Sequence, residues 1–371
     1  MIVAVKNLVV ERTRLVLSVL GVGFAVLLVL VMAGIFVGTT QQVTTYIDHS
    51  RNAVWAVQPG VSQMFRAVSW LPADTARQLS ALPEVASADP ILGQPSDFIH
   101  NGEQTAYFVL GYDPATGVGG PWSLAQGRAV TGPGEVVLDR VLADKNEIRV
   151  GDTVTIVDGD FTVVGLSNQT AALGNFYAFV SLPEAARLLR AGDRVSYVLV
   201  QPAAGSTPEQ AAQAIRTRVP GATGVDALTS AQFADNSRDI IVSMIGRPLK
   251  AMIAIATLVG VALIGLTVLA ATNEQMADFG VLRAVGVRPV QLIRAVAGQA
   301  ALISGLGYLL GSALAYAAQF LIRDRLGDVT IAVTPMMLAG MALATAVMAA
   351  LGSLLPLRQV TRIDPAAAFR R

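Results

Sequence analysis

Four long runs without a charged residue divide this 371-residue chain, and they settle its class before any motif is read. They cover residues 15–37, 251–271, 297–320 and 335–357. The first, Leu15 to Val37, holds 23 residues; as a helix rising ~1.5 Å per residue it reaches ~34 Å, enough for a hydrocarbon core of ~30 Å. Only 14% of the residues are charged, against about 25% in a soluble domain, so part of the chain sits in lipid. A cleavable signal has an apolar region of only ~7–15 residues. The first run therefore reads as a span, 15–37, behind an amphipathic lead-in at residues 1–14. The other spans are expected at 248–271, 297–320 and 335–357.

Residues 38–247 have a different character, rich in Pro, Gly, Asp and Thr and without a run long enough to span. Such a stretch is large enough to bury its own core. Alternating or β-branched runs predict strands at Tyr107–Gly111, Glu135–Leu138, Thr153–Val157, Phe161–Leu166, Tyr177–Val180 and Tyr197–Gln201. Asp158-Gly159-Asp160 marks a hairpin turn. Helical patterns opening on proline fall at Pro72–Leu82, Pro183–Ala191 and Pro208–Val219, the last behind Ser206 and Thr207 as caps. The expected fold is a membrane protein, α-helical with four transmembrane helices plus a large α+β extracytoplasmic domain between the first and second spans. The stretch of about 113–192 is strand-rich and bracketed by Gly/Pro turns, as an inserted subdomain would be.

Charge gives the orientation. Net charge is +2 over residues 1–14, +1 over 272–296 and +3 over 358–371, against zero over 321–334 and −6 over 38–247. The rule that Lys and Arg near span ends face the cytoplasm puts both termini and the 272–296 loop inside, and the large domain outside. The protein is expected in the bacterial cell (inner) membrane, multi-pass. A net charge of +1 argues against a nucleic-acid partner.

Several chemistries are missing. The chain has no cysteine, hence no disulfide framework or thiolate site. His49 and His100 are the only histidines and read as surface residues. The three lysines, Lys6, Lys145 and Lys250, precede Asn, Asn and Ala, so G-x-x-x-x-G-K-[ST] is absent and ATP-driven work falls to a separate chain. No ionisable residue lies in the four apolar runs, which disfavours an ion-coupled carrier. No G-x-S-x-G elbow is present. The expected catalytic, cofactor and metal residues are none. Asn168-Gln169-Thr170 is a glycosylation sequon of chance-level length. Gly307 and Gly311, continued by Ala315, have the spacing that lets membrane helices approach closely, or that glycine tolerance alone would give.

The loop 272–296, TNEQMADFGVLRAVGVRPVQLIRAV, is a charged break between two spans. Met276, Phe279, Val281 and Leu282 line one side of a short helix, Gly286 stops it, and Pro289 suits the first turn of the next. Two short helices joined by an elbow at a membrane surface make a handle for another protein. Just after the first span, Trp55, Met64, Phe65 and Trp70 cluster, either as core or as a face toward lipid or an apolar substrate.

Three stretches together resemble the MacB/FtsX-like permeases of ATP-binding-cassette (ABC) systems. E-Q-M-A-D-F-G-V-L-R-A-V-G-V is similar to the family's loop pattern, with Glu274, Gly280, Leu282, Arg283, Ala284 and Gly286 matching, and Asp278 and Phe279 where Glu and Ile are commoner. The tail, with Pro356, Arg362, Asp364 and Pro365 before an alanine-rich end, looks like the family's cytoplasmic terminus. Asn7-Leu8 and Glu11-Arg12-Thr13-Arg14 look like its amphipathic first segment.

The resemblance implies a four-span subunit, paired with a second permease copy as a homodimer or pseudodimer, above a cytosolic ABC ATPase dimer that binds the ATP and Mg. The chain itself then holds no cofactor. It also implies mechanotransmission, in which ATP hydrolysis moves the external domains and substrate does not cross the bilayer through this chain. On that reading Leu282, Val285 and Val287 insert into the ATPase groove, Arg283 and Arg288 pair acidic groups at its rim, and Arg294 faces headgroups. The function expected is export or extraction of an apolar or amphiphilic substrate. The alternative is an FtsX-like regulator that activates an extracellular cell-wall hydrolase without transport; a periplasmic or extracellular adaptor is a further possible partner.

Overall fold

The computed structural model describes residues 12–50, 52–64, 68–100, 103–171, 176–219, 224–275, 279, 281–282, 285, 287–323 and 331–361. The chain forms two compact units, one of residues 39–244 and one built from the flanking helical segments.

In the membrane unit, four helices are long and apolar enough to cross a bilayer, at Leu15–Gln42, Val242–Glu274, Val290–Leu321 and Pro335–Arg358. They belong to α1 (Arg12–Gln42), α7 (Ser230–Glu274), α8 (Pro289–Arg323) and α9 (Pro335–Thr361). The buried side chains form one cluster, including Val22, Val26, Leu30, Ile264, Val268, Ile303, Met341 and Met348. Because lipid is as apolar as these residues, close backbone approach decides the packing. Gly307 and Gly311 of α8 lie against Val22, Gly23 and Val26 of α1, and Gly265 of α7 lies against Gly352 of α9. The G-x-x-x-G pair is thus used inside the subunit. Tyr308 Oη donates to Leu338 O at 3.1 Å and adds a polar tie between α8 and α9.

The second unit opens with α2 (Thr45–His49) and β1 (Val54–Val57), then β2 (Leu71–Pro72), α3 (Thr75–Ser80), β3 (Val85–His100), β4 (Glu103–Tyr112), β5 (Leu124–Gly127), β6 (Glu135–Asp139) and α4 (Arg140–Lys145). It continues with β7 (Thr153–Ile156), β8 (Gly159–Ser167), β9 (Phe176–Ser181), α5 (Leu182–Leu188), β10 (Arg194–Val195), β11 (Tyr197–Pro202), α6 (Pro208–Arg218) and β12 (Asp226–Thr229). Strand order in the main sheet is β12-β1-β11-β3-β4-β9-β6-β8-β5, with β7 pairing β8. Parallel pairs β4–β9 and β6–β8 sit among antiparallel ones, so the sheet is mixed.

Alternation along β1 and β11 sorts residues to two faces. Val54, Ala56, Val198 and Val200 pack under α3 and α6, while Trp55, Val57, Tyr197 and Leu199 pack on the other side against Tyr46 and Phe233. The α6 start carries the capping box that Ser206 and Thr207 foreshadowed: Thr207 Oγ1 accepts from Gln210 N at 3.2 Å and Thr207 N–H donates to Gln210 Oε1 at 2.8 Å. At α4, Asp139 caps Val141 N at 2.8 Å and accepts from the Thr170 hydroxyl.

The expected subdomain at 113–192 needs correction. Its sheet begins earlier, because Leu92–His100 of β3 pairs with β4, while Val85–Ile91 pairs with β11. One long strand thus belongs to two sheet halves. Pro90 and Pro95 hid it from the sequence, since proline argues against a central strand. Each half of β3 has one partner only, and Ile91 and Gly93 turn their backbone groups toward Ser196 of the β10–β11 segment. Pro90, of opposite parity, turns to the open side, and Pro95 lies on the edge away from β4.

Candidate functional site

The loop 272–296 follows from where the apolar pattern stops. Glu274 closes α7 in an exposed position. Phe279 N–H donates to Gln275 O at 2.9 Å, and the Phe279 side chain is buried in the bundle cluster with Leu292 and Val296. This ring pins the loop to the helices that flank it. A further turn closes through Val285 N–H to Val281 O and Val287 N–H to Leu282 O, both at 3.0 Å. Proline at 289, with no N–H to leave unpaired, then opens α8.

The side chains sort differently from the expected one-sided helix. Phe279 points in, whereas Val281, Leu282 and Val285 are 53, 41 and 80% exposed. Val281 and Val285 stand one turn apart, and Leu282 stands three residues from Val285, so the three share an outer surface. Val287 is half-buried and packs on the bundle cluster. The exposed apolar set is therefore Val281, Leu282 and Val285, with Val287 corrected to a supporting position. Arg288 is exposed beside it. Asp278, Gly280, Arg283, Ala284 and Gly286 lie outside the described residues, as do Phe65 and the tail residues Arg362, Asp364 and Pro365.

The candidate substrate face is also corrected. Trp55 is wholly buried, stacked on Phe233 at 4.7 Å and edge-on to Tyr197 at 5.5 Å. Met64 is buried in the same cluster, and its carbonyl accepts from Tyr197 Oη at 3.4 Å. Trp70 is half-buried, with the Arg194 guanidinium 4.7 Å above its ring. These residues are core because β1 is covered on both faces.

A second constellation escaped the sequence reading. Within the outer unit, the turn after α1 meets the first turns of α7. Arg238 bonds Asp235 at 2.7 Å and Thr44 Oγ1 at 3.3 Å, and lies 3.8 Å from Asp48, to which Thr44 donates at 2.8 Å. Ser230 N–H and Oγ donate to Ala53 O and Asn52 O, each at 2.9 Å. Tyr46 donates to Gly119 O at 2.7 Å and stacks on Tyr177 at 5.4 Å. Burial pushes the Tyr46, Tyr177 and Tyr197 hydroxyls above the usual phenol range, so this belt stays neutral. Only the Asp235–Arg238 spacing was visible in sequence; Asp48 and Arg238 are 190 residues apart.

Comparison with known families decides the assignment. Residues 15–218, more than half the chain, match the model of the MacB-like periplasmic core domain, and residues 250–365 match that of the FtsX-like permease C-terminal. The chain belongs to the MacB/FtsX-like ABC transporter permeases. Two uncharacterized ABC transporter permeases of Mycobacterium tuberculosis are each 24% identical to this permease, over 99% of this chain and 98% of theirs. The macrolide export ATP-binding/permease protein MacB of Nitrosomonas europaea is 22% identical over 81% of this chain and 49% of its own length. Among solved structures, the periplasmic region of MacB from Actinobacillus actinomycetemcomitans gives a TM-score of 0.39 at 16% identity, covering 50% of this chain and 92% of that one. The extracellular domain of YknZ from Gram-positive bacteria gives 0.37 at 12%, covering 48% and 100%. This permease is a multi-pass membrane protein with an extracytoplasmic α+β domain between its first two spans, and its family implies an ATPase partner.

Proposed function

We propose that this permease takes force from a separate cytosolic ABC ATPase dimer through its 272–296 loop. ATP and Mg reside in that partner, and hydrolysis moves the extracytoplasmic domain to export or extract an apolar or amphiphilic substrate. The observation that carries the reading is the exposed Val281–Leu282–Val285 surface on a turn anchored by buried Phe279. Exposed apolar groups on a pinned element fit a protein partner better than water. The absence of ionisable residues from the apolar runs supports work done outside the membrane. The Lys/Arg distribution supports a cytosolic loop and cytosolic termini. A second permease copy, as homodimer, completes the arrangement.

Purification of the native complex from membranes, followed by mass spectrometry of bound proteins and lipids, tests this. An ABC ATPase is expected with the wild-type chain and absent from a Leu282→Asp/Val285→Asp chain that still inserts and folds. Equal recovery of the ATPase with both chains overturns the loop assignment.

A further inference from the structure

A groove of about 570 Å³ runs between α8 and α9, walled by small residues such as Ala297, Ala301 and Gly305 on one side and Ala346 and Ala350 on the other. Small residues alone are ordinary in membrane helices. Three further observations point to an occupant. First, Ser304 lines the groove, is 3% exposed, and its hydroxyl has no hydrogen-bond partner. Thr257, Thr267, Thr272 and Thr345 each donate to the carbonyl four residues back; Ser304 does not. Its donor is left for whatever enters.

Second, the groove is confined to one half of the spans. On α8 it extends from Ala297 to Tyr308, 11 residues or ~16 Å of rise, close to the ~15 Å of one leaflet. It ends where Tyr308 is tied to Leu338 O. Third, the open end is basic. Arg294 precedes Ala297, Ala301 and Ser304 by three, seven and ten residues, hence on their stripe, and Arg358 follows Leu354 and Ala350 by four and eight. Both arginines are exposed and lie at the same end of the antiparallel pair, the end next to the 272–296 loop.

We infer that this groove holds one chain of an anionic phospholipid. The acyl chain covers the alanine walls, an ester carbonyl accepts from Ser304, and the phosphate meets Arg294 and Arg358. Basic pockets between membrane helices recognise anionic headgroups in this way. Divided by its length, the groove has a cross-section near 35 Å², whereas a helix with side chains is ~10–12 Å across. That width favours a lipid chain over a partner helix.

The full chain is purified in detergent, incubated with mixed micelles of equal phosphatidylglycerol and phosphatidylcholine, and read by native mass spectrometry. The wild type is expected to retain phosphatidylglycerol preferentially, with each arginine contributing roughly fivefold. Arg294→Gln/Arg358→Gln is expected to erase the preference, and Ala301→Leu, which fills the groove, to remove the bound lipid. Arginine variants change the surface alone, so they keep the test decisive if Ala301→Leu disturbs folding. Equal retention of the two lipids, or retention unaffected by either variant, overturns the site. The chain has no native cysteine; a disulfide-linked dimer of Ala301→Cys in membranes would instead show a second copy in the groove and refute the lipid.

Discussion

Gly307→Ala isolates the packing of the bundle in a single methyl group. The added carbon would stand 2.6 and 2.7 Å from Cγ1 and Cβ of Val22, and at Gly311 the same change would stand 2.5 Å from the Gly23 carbonyl oxygen and 2.7 Å from Val26 Cβ. Comfortable contact is ~3.5–4.0 Å, so each intrusion is about 1 Å. Valine is stiff at χ1 and the carbonyl is backbone, so relief requires α1 and α8 to separate. Overpacking of this kind costs ~1–3 kcal/mol, partly offset by ~0.5–1 kcal/mol from replacing a helical glycine. The net expectation is a loss of about 1–2 kcal/mol at each site.

Gly298 and Gly340 are the controls, because a Cβ there meets nothing within 4 Å. Gly298→Ala and Gly340→Ala keep only the helical gain and should be neutral or slightly stabilising. The assay is denaturant titration of the full chain in detergent, followed by helical circular dichroism, since Trp55, Trp70 and Trp122 all report on the outer unit. Wild-type behaviour of Gly307→Ala and Gly311→Ala, or equal damage at the two controls, would refute the claim that these glycines seat α1 on α8.

Trp55→Ala should cost about 3–5 kcal/mol, because it empties a fully buried site stacked on Phe233; a melting temperature of the outer domain close to wild type would contradict the core assignment. Arg238→Ala and Asp48→Ala, run as a double-mutant cycle, should show a modest coupling of ~0.2–1 kcal/mol, since the pair is about half exposed; strictly additive losses would remove the junction tie. Glu135 is held down at about pKa 2, chiefly by its fork with Arg128 at 2.5 and 2.8 Å and then by the Thr131 N–H. A carboxylate lowered by folding adds stability above its unfolded pKa and loses it as pH falls through the folded value. The small deficit of Glu135→Gln should therefore be full at neutral pH and fade between about pH 4.5 and about 2; a deficit independent of pH would show that the carboxylate's charge plays no part.

The membrane spans were legible because 20 or more uncharged residues have few other stable solutions in a cell. Strands such as Glu135–Asp139 and the helix at Pro208–Arg218 were legible because alternation and capping are local signals. β3 was not, since Pro90 and Pro95 deny a strand that survives only by having one partner at a time. Trp55 and Met64 were ambiguous because two-sided coverage of β1 is set by α2, α6 and α7, distant in sequence. In the loop, apolar composition was visible but direction was not: Phe279 turns in and Val281 turns out, which depends on where the bundle lies. The Arg238 cluster joins residues 190 apart and had no local signature at all.

The central claim is that the 272–296 loop receives the work of ATP hydrolysis. Its most direct test is the ATPase rate of the partner enzyme in proteoliposomes, with wild-type permease and with Leu282→Asp/Val285→Asp. Wild type should raise the rate above that of the ATPase alone, and the variant, inserted and folded to the same extent, should leave it at the unstimulated level. Full stimulation by the variant would contradict the claim.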